Sequence, residues 1–296
     1  MDGNTRYKNG KSNLPTVDKD EELETRYERY IGIIKDLTIM SGVFMRNVLK
    51  DRECVKYILQ VILNKKDLEV VDLVIQKDYK NLQGRSAMLD CFVRDSRGSL
   101  IDVEIQQDNE GASPKRARYH SGLMDMNILN PGQDFNQLPE SYVIFITRND
   151  VLGYGQAIYH IDRRIEELDL IFKDETHIIY VNSQNQDDTE LGMLMHDFNC
   201  KNAKDFHSKI LANRVHELKD TQKGVELMCK EMEQIYSEGV EKGEKTGEKK
   251  GELKKAKETA ISLAEMGLSI DKIAMAIKIS VDTVEKWLDE SMCLLK

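Results

Sequence analysis

Hydrophobic positions first settle into a helical period at "GVFMRNVLKDRECVKYILQVILN", residues 42–64. Val43, Met45, Val48 and Leu49, then Val55, Leu59, Ile62 and Leu63, recur at helix spacing. The period then shortens. "LEVVDLVIQKDY", "SAMLDCFVRD" and "SLIDVEIQQ" are β-branched or alternating runs between polar turns, which predicts a three-stranded meander. "SPKRARYHSGLMDMNILN" predicts a helix with Ser113 as N-cap and Pro114 in the first helical position. "ESYVIFITRND" is almost wholly apolar, as a strand covered on both faces should be. "GYGQAIYHIDRR" reads as a turn and a helix with solvated Arg163 and Arg164, "HIIYVNS" as a further strand, and helices should follow from about residue 187.

These elements predict an α/β fold: a mixed sheet flanked by helices, with a C-terminal helical tail. The expected layout is a flexible polar arm over 1–20, the α/β domain over 21–220, a charged stretch over 221–256 and a small helical segment over 257–296. In the charged stretch Gly239, Gly243, Gly247 and Gly251 fall at every fourth residue. Each glycine costs a helix roughly 1 kcal/mol, which favours a solvated, weakly helical linker. The other reading is a glycine stripe along which two helices approach, giving a homodimer through the tail. In the last segment Gly267 stops one helix while Ser269 and Ser280 cap the next two, the outline of a helix-turn-helix. Its third helix sets Asp282, Glu285, Asp289 and Glu290 against Lys286. Such acids repel phosphates and favour packing or self-association over DNA reading.

The chain has 296 residues, 40% apolar and 32% charged, enough for one large core or a domain with appendages. A net charge of −9 means that any nucleic-acid site has to be a local basic patch. The five cysteines are scattered, with no CxxC pair and no partnering histidine cluster, and the six histidines lack metal-ligand spacing. Reduced thiols in a cytoplasmic protein are expected, with Cys91 a small core residue. No export segment opens the chain and the longest apolar runs are strand-sized, so neither secretion nor a membrane span is expected. GxSxG, P-loop and GxGxxG arrangements are absent.

The chemistry lies in "MLDCFVRDSRGSLIDVEIQQ", residues 88–107. Residues two apart on a strand share a face, so Asp102, Glu104 and Gln106 point one way and Ile101, Val103 and Ile105 the other. If the "RDSRGS" turn pairs Asp90 with Glu104, two carboxylates meet. Like charges opposite one another are destabilising, and burying them costs more unless a cation is present. A hard divalent ion held by oxygens removes the conflict. A solvent-exposed polar sheet face would need no ion, and spacing alone leaves both readings open. The next helix begins with Lys115, Arg116, Arg118 and Tyr119, cations at a helix start that already favours anions. Acids followed by a basic helix start suit a phosphodiester. His120 could sit near a phosphate, but an ordinary partly exposed histidine beside this patch is the favoured reading.

From about residue 36 to 200 the chain resembles the PD-(D/E)XK nuclease family transposases, the group that includes recombination-promoting nucleases of the Rpn type. "LTIMSGVFMRNVLKD", "RSAMLDCFVRDSRGSLIDVEIQQ", "SPKRARYHSGLMDMNILNPGQDF" and "SYVIFITRNDVLGYGQAIYHIDRR" carry the resemblance in the family's order. It implies a restriction-endonuclease-like core and a Mg²⁺-dependent DNA endonuclease, with Mn²⁺ as an alternative ion. By motif, Asp90 and Glu104 are the acids of the second and third core strands and hold the metal, with the Ile105 carbonyl as a further ligand. Gln106 stands where lysine is usual and orients the attacking water or a phosphate oxygen. From their placement at the helix start, Lys115, Arg116, Arg118 and Tyr119 are expected to hold the DNA backbone. Glutamine brings no positive charge and no base, so water activation falls mainly to the metal. Gly42 is the other departure: relatives tend to carry an acid there. It favours a second reading, a chain impaired in turnover that binds DNA or a protein through its C-terminal helices. The intact Asp90, Glu104 and Gln106 set favours the enzyme.

Overall fold

The computed structural model describes residues 19–79 and 86–293. All but the end of the polar arm expected over residues 1–20 lies outside them. Helix α1 (Lys19–Asp36) leads into α2 (Gly42–Leu49) and α3 (Arg52–Ile62), which share the helical period of residues 42–64. The break falls at Asp51, whose side chain accepts the Cys54 N–H at 2.9 Å and starts α3.

Strands β1 (Val70–Tyr79), β2 (Ala87–Asp95) and β3 (Leu100–Gln106) make the antiparallel meander. Helix α4 (Pro114–Met126) then crosses to β4 (Ser141–Thr147), which lies parallel to β3. Ser113 caps α4, its Oγ accepting the Arg116 N–H at 3.3 Å, and Pro114 opens it. After β5 (Ile158–Ile161) come β6 (Arg164–Ile165) and β7 (Leu170–Ile171), a small separate sheet, and then β8 (Thr176–Asn182), parallel to β4. Among the described residues the main sheet has the order β1-β2-β3-β4-β8-β5. The chain is thus the mixed α/β fold that the patterning predicts.

β4 is buried at every position, as its apolar run requires. On one side Phe92, Leu100, Val143, Phe145 and Tyr180 pack with Ala112, Ala117 and Met124 from α4 and the turn before it. Burying one side chain of this size contributes about 1.5–3 kcal/mol. Helices α2 and α3 pack on β2 and β1, and α5 (Glu190–Asn199) and α6 (Lys209–Asp220) pack on α3.

Residues 158–161 correct the sequence reading: they form a strand and not a helix. Gly153 and Gly155, at φ +77° and +74°, turn the chain back and lay β5 antiparallel on β8, with Tyr159 opposite Tyr180. The β8 edge offers unpaired backbone groups to this short run, which a solvated helix would leave unused. Arg163 and Arg164 are exposed and pair with Asp174 and Asp169.

Two compact units divide the chain, Met1–Glu231 and Met232–Lys296. Helix α7 (Gln222–Glu265) is continuous through the stretch that the glycines suggested as a weakly helical linker. A Cβ at Gly239, Gly243, Gly247 or Gly251 would meet nothing within 4 Å, so packing within this chain does not require glycine there. In the second unit the end of α7, α8 (Ile270–Ile277) and α9 (Val281–Cys293) enclose Ala260, Ile273, Ala274 and Val284. Gly267, at φ +85°, ends α7, and Ser280 Oγ accepts the Thr283 N–H at 3.4 Å to start α9. Ser269 occupies the N-cap of α8 without a side-chain bond.

Candidate active site

The turn between β2 and β3 sets the site. Asp95 Oδ1 accepts the N–H groups of Arg97 and Ser99 at 2.9 and 2.8 Å, and Gly98 takes the φ of +90° that closes the loop. This fixes the register Cys91–Val103 and Phe92–Asp102, which brings Asp90 level with Glu104. There the side chains take over from the backbone ladder. The Asp90 N–H donates to Glu104 Oε1 at 2.9 Å, and the Ile105 N–H to Asp90 Oδ2 at 3.3 Å.

Helix α4 closes over the acids. Arg116 Nη2 donates to Glu104 Oε2 at 3.1 Å, and Arg116 Nε to His120 Nε2 at 3.3 Å. His120 Nδ1 lies 2.9 Å from Asp102 Oδ2. A guanidinium can only donate, so His120 Nε2 accepts and Nδ1 carries the proton that is given to Asp102. Burial holds the His120 pKa below its ordinary value, in keeping with a neutral ring. Contrary to the partly exposed residue expected, His120 is only 2% exposed. Gln106 Nε2 also donates to Glu104 Oε2, at 3.2 Å.

Asp102 and Glu104 are fully buried and Asp90 partly so. Burial, reinforced by the charges of Asp102 and Asp90, pushes Glu104 up to about 8. Asp90 is raised by burial, and Asp102 well above the carboxylate range by burial and the Asp90 charge. Among the described residues, only Glu104 of these three carboxylates is bonded to a guanidinium, that of Arg116. Asp102 Oδ1 is buried and has no hydrogen-bond partner among the described residues. Donor atoms of Asp102, Glu104 and His120 lie within 4.8 Å of one another, and since both ring nitrogens of His120 are bonded, the free donors are carboxylate oxygens, which suit a hard divalent cation. The residues fit such an ion.

The family's sequence model for PD-(D/E)XK nuclease family transposases matches residues 44–235. The chain belongs to this family. Membership implies phosphodiester hydrolysis, a DNA substrate and a divalent metal, and the buried Asp102 and Glu104 cluster lies where such a site is plausible. No curated protein and no solved structure matched the chain. Among the described residues no helix is long and apolar enough to cross a membrane.

Of the positions that the PD-(D/E)XK resemblance picked out, Asp90, Glu104, Ile105 and Gln106 converge here, joined by Arg116 from the basic start of α4. Lys115 and Arg118 are exposed on α4, and Tyr119 is 38% exposed. Asp102 and His120 were missed as site residues. Asp102 shares a strand face with Glu104, and His120 stands one helical turn after Arg116, so each left a weak signal. Gly111 was missed too. A Cβ there would overlap the Gln106 amide oxygen and come within 3.1 Å of its Cδ, so glycine leaves Gln106 its seat. Gly111→Ala is expected to displace this flexible amide, lowering nicking by about tenfold while changing stability by less than about 1 kcal/mol. Plasmid nicking alongside a thermal melt checks it; unchanged nicking would mean that the Gln106 position is immaterial.

On the α2 side, Gln107 Nε2 donates to the Met40 carbonyl at 2.7 Å, and the Arg46 charge acts on Asp90. Gly42 opens α2 one turn before Arg46, and a Cβ there would meet nothing within 4 Å.

Proposed function

We propose that this protein is a Mg²⁺-dependent DNA endonuclease of the mobile-element-associated, recombination-promoting type. The observation that carries this reading is the buried pair Asp102 and Glu104, with Arg116 bonded to Glu104, the half-buried Asp90 level with it, and Asp102 Oδ1 lacking a partner among the described residues. Asp90 and Glu104 would hold the ion, with Asp102 Oδ1 and the Ile105 carbonyl as further oxygens; Mn²⁺ could substitute. When bound, the ion supplies Lewis-acid activation of water and of the scissile phosphate. Gln106, seated over Gly111, orients the water or a phosphate oxygen through its amide. Arg116 offsets the negative charge of the acids and faces the position of a phosphate. His120 keeps Asp102 oriented through its Nδ1–H. Lys115, Arg118 and Tyr119 hold the DNA backbone outside the acid cluster. The test is nicking of supercoiled plasmid with Mg²⁺ and with EDTA. Nicking that is unaffected by EDTA sinks the proposal.

Gly42 supports the second reading, an impaired chain acting as a DNA- or protein-binding module. An acid at the start of α2 would favour the helix dipole, meet open space and stand one turn from Arg46. Gly42→Asp is therefore expected to raise the nicking rate by about tenfold. An unchanged rate would show that α2 owes the site no acid.

Self-association through the tail belongs to the same proposal. The open glycine row of α7 can admit a second helix closely. Deleting residues 237–296 should reduce the particle from two chains to one by light scattering, and a mass that still corresponds to two chains removes the tail from the interface.

A further inference from the structure

We propose that the loop between β4 and β5 is a second DNA-contacting arm, in which Tyr154 stacks on an unpaired base and Arg148 takes a neighbouring phosphate. The inference rests on the nuclease reading and names its substrate class, DNA with bases out of the duplex beside the cut. The arm starts at the site. The Arg148 N–H donates to the Gln106 carbonyl at 3.0 Å, and Thr147 Oγ1 donates to the Asn149 carbonyl at 2.8 Å. Asn149 Nδ2 donates at 3.5 Å to Asn109 Oδ1 in the turn before α4. Arg148 is exposed, and its guanidinium pairs with no acid among the described residues. Tyr154 follows six residues later. Six residues span at most about 22 Å, or roughly six base steps of about 3.4 Å each. The ring is therefore within reach of bases close to the scissile phosphate.

The loop is built to hold that ring still. Asp150 Oδ1 accepts the Gly153 N–H at 3.0 Å, and Oδ2 the Gly155 N–H at 2.7 Å. Tyr159 OH donates to Asp150 at 2.8 Å and accepts the Tyr154 and Gln156 N–H groups at 3.2 and 3.1 Å. Val151 and Leu152 pack on the core that α4 covers. The Tyr154 ring, between the two positive-φ glycines, is left 78% exposed. It begins a row of rings that leads to the acids. The Tyr154 and Tyr159 centroids lie 6.4 Å apart, Tyr159 sits opposite Tyr180, and Tyr180 stacks on Phe145 at 5.4 Å. Phe145 is level with Glu104, and its ring lies 6.0 Å from that of His120. Chemistry selects the occupant. Every base has a π-face, and a tyrosine with two side-chain torsions loses little entropy in stacking on one. A paired base keeps its faces inside the duplex stack, so an unpaired base is the one that can use the ring. Asp108 and Glu110 are exposed on the neighbouring turn and repel phosphate, so the arm depends on stacking more than on Arg148.

Fluorescence anisotropy of the full-length protein in EDTA tests the arm without cleavage. The probes are a labelled duplex with a central bubble of unpaired bases and its fully paired counterpart. Wild type should bind the bubble about tenfold more tightly; Tyr154→Ala should erase that preference and Tyr154→Phe should keep it. Arg148→Ala should weaken both probes alike and lower the salt slope by about one. Both positions are exposed, and a thermal melt confirms that each variant is folded. Equal binding of the two probes by wild type, or an undiminished preference in Tyr154→Ala, overturns the arm. Plasmid nicking with Mg²⁺ by the same preparations reports on the nuclease reading separately. A bubble preference that depends on Tyr154 in a protein that nicks nothing keeps the arm and ends the nuclease. Nicking by wild type with Tyr154→Ala binding unaltered does the reverse.

Discussion

Glu104→Ala should lower Mg²⁺-dependent plasmid nicking by about 10³-fold or more, with Asp90→Ala losing a similar factor; 10³ corresponds to about 4 kcal/mol of transition-state stabilisation. Glu104 is the hub of the site. It accepts from the Asp90 backbone, from Arg116 and from Gln106, so its loss releases all three groups as well as a proposed metal ligand. Glu104→Gln separates chemistry from folding. It keeps the shape and one acceptor oxygen but not the charge, and should stay folded and inactive. Equal nicking by wild type and the variants would identify a contaminating nuclease and end the catalytic reading.

Metal-free protein should lose thermal stability as pH rises from about 5 to about 8, by on the order of 10 °C in Tm, and Mg²⁺ should abolish the loss. The sign follows from Glu104, whose pKa is pushed up to about 8 by burial and by the charges of Asp102 and Asp90. A carboxyl whose folded-state pKa exceeds its unfolded value keeps its proton more firmly when folded. Its contribution is complete below the unfolded pKa and disappears as pH climbs through the folded one. Asp102 and Asp90 are displaced in the same direction and add to the slope. Asp102→Asn should flatten the profile, since the amide oxygen can take the place of Oδ2 and accept from His120 while one buried charge is gone. Melting curves in EDTA and in Mg²⁺ across this range decide the matter. A flat metal-free profile would mean that the acids do not crowd one another.

The meander, the Ser113 cap and the doubly covered β4 were legible because each depends on neighbours a few positions away. Period 2, period 3.6 and cap chemistry are local properties. Asp90 and Glu104 could be suspected of meeting because one short turn joins their strands. The short run at 158–161 was misread because its strand character comes from the β8 edge, not from its own residues.

The partners of Asp102 and Cys200 show the limit of such reading. Asp102 has the same spacing whether it faces water or His120, and only α4 lying across β3 buries both side chains and hands Asp102 the Nδ1 proton. Cys200 and His196 are four residues apart, but His207 meets the His196 ring because Asp197 accepts its backbone N–H and bends the following segment back. The chain's own order thus determined the α/β class, the strand pair that carries the acids and the basic start of α4. Tertiary structure decided which charges are buried together, because desolvation and mutual repulsion exist only once helices and sheet have closed over them.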